Sequence, residues 1–250
     1  MAYNLVVANS GYINCSSSST LNDIETQGGG GLSISFWIYP RTAGAGNFGY
    51  CVAKVNSEAV NEGYWEIFFA SVATALSFKK NYTTADLVRR MSNGSLTVNV
   101  WQHVVLTWDG SSTAANAHYY INGTEPSYLT TTNGSGTKNS DALLPFLIGN
   151  SFNGVGSGDH IITEVGLWNV VLNNSEIQAL AKSRVKGIPL QIRPSALVGY
   201  WPLDDFPDGL ASGATLGIRD RTKNNNNGTQ GFATGGGNNT FLAEQILSYT

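Results

Sequence analysis

The sequence predicts an all-β protein, a two-sheet antiparallel β-sandwich with one short helix near residues 174–186. Three observations carry this. Short segments rich in Val, Ile, Phe, Trp, Tyr and Thr recur between turns rich in Gly, Asn and Ser. In the most telling of them, Val100 to Trp108, residues Trp101, His103, Val105 and Thr107 fall on one face and Gln102, Val104, Leu106 and Trp108 on the other, so both faces are covered. Helical spacing of apolar residues occurs at one place, after Asn173, and no period of about 40 residues repeats as a propeller would require.

At 250 residues the chain is long enough for a sizeable core, and sandwiches of this length are commonly one domain. Hydrophobic residues make up 42%, and charged residues only 12%, about half the usual share, so Gly, Ser, Thr and Asn must cover the surface. With a net charge of −3 and no long basic run, no nucleic-acid partner is expected. No apolar run is long enough for a helix to span a membrane, so no membrane insertion is expected. Met1 to Val7 lacks the basic and apolar regions of a secretory signal, which points to folding in a cytoplasm. Cys15 and Cys51 are then expected as free, packed thiols.

Along the chain, Leu5–Val7 and Gly11–Cys15 read as the first strands, and Gln27–Gly31 as a flexible loop or tight corner. Ser33–Tyr39 alternates Ile34, Phe36 and Ile38 against Ser35, Trp37 and Tyr39, and Pro40 stops it. Tyr50–Val55, Gly63–Phe69 and Ala75–Phe78 continue as a meander, whereas Asn81–Arg90 gives no clear pattern. After Val100–Trp108 comes the turn Asp109–Ser112, then His118–Ile121, ending in the hairpin signal Asn122-Gly123. Ser127–Ser140 and Gly154–Gly158 read as exposed loops, Leu144–Gly149 and Ile161–Asn169 as strands. Asn173 with Glu176 has capping-box spacing, Ile177, Leu180 and Ala181 form the apolar stripe of the helix, and Gly187 stops it. Ile188–Pro194 reads as a linker.

The run Trp101-Gln102-His103-Val104 to Thr107-Trp108-Asp109-Gly110 and the later Asn122-Gly123 resemble the middle of laminin-G-like jelly rolls in the concanavalin-A-like lectin/glucanase superfamily. So do Ser33–Pro40, Leu144–Gly149, Ile161–Asn169 and the helix that follows. Leu197–Asp205 and Asp220–Thr229 resemble motifs that open the domain in most relatives but close it here, which implies a circularly permuted order of phage or environmental type. The expected organisation is one laminin-G-like domain over 1–250: a main jelly roll over 1–187, and a segment 188–250 that returns a strand containing Tyr200–Leu203 to the sandwich.

The paired carboxylates of the glucanases in the resembled superfamily, in an E-x-D-x-x-E strand, are absent, and Glu58, Glu62 and Glu66 have helical rather than strand spacing. No catalytic residue is assigned and no enzyme is expected. His103, His118 and His160 lack metal-ligand spacing, and His103 reads as a packed strand residue. The resemblance implies a structural Ca2+ near Asp204, Asp205, Asp208, Asp220 and Asn226, held above all by Asp205, Asp220 and Asn226, with turn capping as the alternative role of these residues. Tyr64, Trp65, Tyr82, Tyr119 and Tyr128 are candidates for stacking on sugar rings, against a core role. The expected function is a non-catalytic structural or adhesive protein on a virus or phage particle, partnered by other virion or capsid proteins or by itself. The alternative is a lectin-like, extracellular carbohydrate-binding module, calcium-dependent if the ion is held, with cell-surface glycans as partners.

Overall fold

The computed structural model describes residues 2–56, 62–151, 156–182, 187–205, 217–232 and 240–242. Alternating apolar residues lay the chain into two antiparallel sheets. One runs β16 (Thr240–Leu242), β1 (Ala2–Leu5), β12 (His160–Trp168), β3 (Leu32–Pro40), β8 (Gln102–Trp108), β9 (Ala117–Ile121), with β13 (Leu197–Trp201) also paired to β12. The other runs β10 (Tyr128–Thr132), β7 (Leu87–Met91), β6 (Leu76–Lys80), β5 (Trp65–Phe69), β4 (Tyr50–Lys54), β11 (Phe146–Ile148), β2 (Gly11–Asn14), β15 (Gly228–Phe232), β14 (Gly217–Ile218). Ile34, Phe36, Val104, Leu106 and Trp108 of the first sheet and Trp65, Ile67, Phe69, Phe78 and Phe146 of the second form the core between them.

β12 is the pivot of the first sheet. β3 pairs along one edge from His160 to Trp168. The other edge is shared: β1 takes His160–Ile162 and β13 takes Val165–Trp168. At the junction between them the register of the β12–β3 pairing shifts between Thr163 and Gly166, and Glu164, with a φ of 54°, marks a bulge. The carboxylate of this buried residue accepts the Tyr200 hydroxyl at 2.7 Å and the Gly187 amide at 3.0 Å.

A second apolar layer covers the outer face of the seven-stranded sheet. The helix α1 (Asn174–Lys182) buries Ile177 and Leu180 there with Val105, Trp168 and Tyr200. Its capping box forms as the spacing predicts, Asn173 Oδ1 accepting the Glu176 amide and Glu176 Oε2 the Asn173 amide. The end of the helix beyond Lys182, expected to reach 186, lies outside the described residues.

Three expectations change. Ser127–Ser140 is not all loop: Tyr128–Thr132 pairs with β7, because Tyr128 packs beneath the Arg89 guanidinium (3.3 Å to the ring centre) and three consecutive threonines favour extended backbone. β10 is an edge strand, and its register shifts between Tyr128 and Thr130. Ile188–Pro194 is not a bare linker: Ile188–Gln191 forms a single 3-10 turn, Ile188 and Ile192 pack on the outer layer, and the Ile192 carbonyl accepts Trp168 Nε1 at 2.7 Å. Asn122-Gly123 does make a tight turn, with paired Ile121 and Thr124 backbone bonds, but the chain then crosses from β9 in one sheet to β10 in the other. The otherwise unpatterned Asn81–Arg90 contains most of β7, and part of the expected loop Gly154–Gly158 lies outside the described residues.

Cys15 and Cys51 are free and buried. His103 hydrogen-bonds Ser35 Oγ through Nε2 at 2.9 Å, and His160 packs on Phe69. Burial pulls both histidines down to about 3 from the ordinary 6.5. Each therefore binds its proton more readily when unfolded, so its stabilising effect holds above pH 6.5 and is lost as pH falls toward 3. On the order of 4 kcal/mol per histidine is at stake across that window. Acid unfolding followed by tryptophan fluorescence is expected to begin at lower pH in His103→Gln and in His160→Leu than in the wild type; unchanged acid midpoints in both would contradict this origin.

Candidate functional site

The strand β5 makes two surfaces at once. Trp65, Ile67 and Phe69 point into the core, which leaves Glu66 and Phe68 on the outer face of the nine-stranded sheet. There Phe68 lies across from Tyr50 of β4, with ring centres 6.1 Å apart, and Glu66 lies across from Lys79 of β6, 3.8 Å between charged atoms. A turn at Ala45–Asn47 then brings up Phe48, 52% exposed, with its ring 6.0 Å from Phe68. Gly156 closes the rim: its carbonyl accepts the Tyr50 amide at 3.0 Å, and a Cβ there would stand 2.1 Å from the Tyr50 ring. These groups enclose a cleft of about 290 Å³.

The polar wall of the cleft is held from behind. Lys79 sits 4.8 Å over the Tyr64 ring and 3.4 Å from Asp86. Burial lowers its pKa, but the Tyr64 phenol and the Glu66 and Asp86 carboxylates outweigh that and hold it above the ordinary lysine value. Asp86 is itself fixed by Tyr64 Oη, Asn81 Nδ2 and the Tyr82 amide. The result is a set of apolar ring surfaces beside a fixed ammonium and carboxylate, which suits a ligand with one apolar face and a rim of hydroxyls.

The aromatic residues picked out by sequence lie elsewhere. Trp65 and Tyr119 are fully buried, Tyr64 and Tyr82 nearly so, and Tyr128 lies under Arg89. Of these, Tyr64 alone adjoins the cleft, through Lys79. The signal for Phe68 was present in the sequence, as an aromatic out of phase with the core side of its strand.

Two of the expected calcium ligands, Asp220 and Asn226, do meet, but in a knot of hydrogen bonds. Asp220 Oδ1 accepts the amides of Tyr200 and Thr222, and Oδ2 accepts Thr222 Oγ1 and the Asn226 amide, all within 2.9 Å. Asn226 accepts Ser18 Oγ at 2.7 Å and donates to the Val198 carbonyl at 2.8 Å, which ties the C-terminal segment to the Ser-rich turn after β2. Asp205 takes Arg221 at 2.9 Å and the Arg219 amide at 3.0 Å. Asp208 lies outside the described residues. As arranged, the residues do not fit a cation: the oxygens of Asp220 and Asn226 are engaged by donors, and Asp205 faces the Arg221 guanidinium. Among the described residues no group of three or more His, Cys, Asp or Glu side chains could hold a metal ion.

The family model described as the concanavalin A-like lectin/glucanases superfamily matches residues 9–178, from just before β2 into the helix. The chain belongs to this superfamily. Among solved structures, this superfamily member is similar to a "putative carbohydrate binding protein" from Bacteroides ovatus ATCC 8483, with TM-score 0.57 and 17% identity, over 92% of this chain and 57% of that one. It thus spans little more than half the length of that protein, and at this identity the likeness shows the fold alone. Weaker similarities include the binding domain of Paraclostridial Mosquitocidal Protein 1 (TM-score 0.49, 18% identity, 72% of this chain and 45% of that one). Another is a heptameric SAP-like pentraxin from Limulus polyphemus (0.42, 13%, 71% and 84%). No curated protein is a significant sequence match.

With its carboxylate fully engaged, Asp220 is expected to act through structure. Asp220→Ala should cost about 3 kcal/mol, since four donors lose a charged acceptor. Melting curves of the wild type should coincide in calcium and in chelator, and the variant should melt lower in both. A calcium-dependent rise confined to the wild type would restore the metal assignment.

Proposed function

We propose that this superfamily member is a non-catalytic carbohydrate-binding module that holds a glycan in the Phe48–Phe68 cleft. The observation that carries the reading is Phe48, a large aromatic left half-exposed beside Phe68 and Tyr50 and next to the Glu66–Lys79 pair. Ring faces stack on the C–H face of a pyranose, while an ammonium and a carboxylate serve its hydroxyls. The superfamily and the carbohydrate-binding description of the Bacteroides protein support the same reading.

Hydrolysis has no equivalent support. Glu66 faces an ammonium, and Asp86 is engaged by three donors that hold a turn. A role on a virus or phage particle, the first expectation from the charge-poor sequence, gains nothing from the superfamily or from the structural likenesses, so the lectin-like alternative takes its place.

A glycan array read with labelled protein identifies the ligand, and titration calorimetry then measures it. Phe48→Ala and Phe68→Ala should each weaken binding roughly tenfold, the worth of one aromatic stacking contact. Phe48→Ala should leave the melting temperature nearly unchanged, because that ring is half in solvent. Leu190→Ala, an exposed change in the turn over the other sheet, should leave affinity intact. Binding that survives both phenylalanine changes would place the glycan elsewhere.

A further inference from the structure

The second chemically unusual place in the molecule is enclosed. Lys54, at the end of β4, is fully buried, as are Asp141 and Lys80, and Glu25 is nearly so. The Lys54 Nζ donates to three oxygens: Asn22 Oδ1 at 2.9 Å, Asp141 O at 2.8 Å and Asp141 Oδ1 at 2.8 Å. Asp141 is locked by reciprocal bonds with Asp23, whose amide donates to Asp141 Oδ1 at 2.7 Å and whose Oδ1 accepts the Asp141 amide at 2.9 Å. Lys80 takes a different set: its Nζ donates to the Gly63 carbonyl and lies 3.8 Å from Glu25 and 3.9 Å from Asp141, and Glu25 also pairs with Lys138 at 3.2 Å. Among the described residues, Lys54 is thus the lysine that meets both a side-chain carboxamide and a buried carboxyl.

That is the set of groups needed to make an amide. The carboxamide carbon of Asn22 sits one C=O bond behind the oxygen that Nζ touches, so it is within about 4 Å of the amine. We propose that Lys54 and Asn22 form an intramolecular isopeptide bond, with Asp141 as the proton carrier. An Nζ proton passes to Asp141 Oδ1, and the neutral amine attacks Cγ of Asn22. The Nζ–Cγ bond forms and the Cγ–Nδ2 bond breaks. Nδ2 leaves as ammonia with the second proton from Nζ, and the proton held by Asp141 departs with it as ammonium. Atoms and charge balance without an oxidant or cofactor.

The setting shifts both groups toward the uncharged forms that the step needs. Burial, the largest influence on each, pushes the Lys54 ammonium down and the Asp141 carboxyl up, and their mutual attraction offsets only part of it. The bond would fasten the turn around Ile24–Thr26 to β4 and close a covalent loop across 32 positions of the chain.

Intact-mass spectrometry of the full chain tests this without prior assumptions about a ligand. The folded wild type is expected to be lighter than its sequence by one ammonia, and a glutamate-specific digest should contain one branched peptide joining Asn22 to Lys54. Lys54→Arg and Asp141→Asn, each confirmed folded by circular dichroism, should have their full sequence masses. Folded wild-type protein at full sequence mass overturns the proposal. So does a loss of water with the branch at Asp141, or an ammonia loss that persists in Lys54→Arg. Should either variant fail to fold, the branched peptide of the wild type decides alone.

Discussion

A strand has two edges, and β12 has three neighbours; the bulge at Glu164 is what reconciles them. It interrupts the register with β3 between Thr163 and Gly166, at the level where β1 gives way to β13 on the opposite edge, so that those two strands lie end to end along it. The backbone strain is offset by the carboxylate of the same residue, which gathers the Tyr200 hydroxyl and the Gly187 amide. Segments from both halves of the sequence thereby join one sheet. The Asp220–Asn226 knot repeats the theme at the other sheet, where β15 pairs with β2 and Asn226 reaches Ser18.

The cleft depends on the same pleat as the core. Because successive side chains of β5 alternate, one short strand supplies Trp65, Ile67 and Phe69 to the interior and Glu66 and Phe68 to the outer face. The rigid pairing that positions Phe68 against Tyr50 is inherited from the sheet, whereas Phe48 comes from a turn, a part more open to change.

Strands with long alternating patterns, such as β3 and β8, and the capped helix were legible because period and capping chemistry are local. β10 was not: four of its five residues are polar or hydroxylated side chains, and what makes it a strand is the distant pairing to β7 and the Arg89 contact with Tyr128. The aromatic stacking candidates failed for a related reason. Sequence names an aromatic but not its depth, so Trp65 and Tyr119 went to the core while Phe48, in a Gly- and Asn-rich turn, became the surface ring. Whether the Asp220 carboxylate faces donors or an ion depends on amides such as those of Tyr200 and Asn226, which no side-chain pattern encodes.

The register shift in β10 has a colloidal consequence. With only 12% charged residues and a net charge of −3, molecules of this protein repel one another weakly. The edge of the nine-stranded sheet ends in a threonine-rich strand with an exposed Leu129 and no lysine or proline to guard it. The irregularity between Tyr128 and Thr130 breaks the even ladder of backbone donors and acceptors at that leucine. Shape at this edge thus does the work against self-association that charge does in most proteins, and a change that straightened β10 would be felt first as turbidity in concentrated solution.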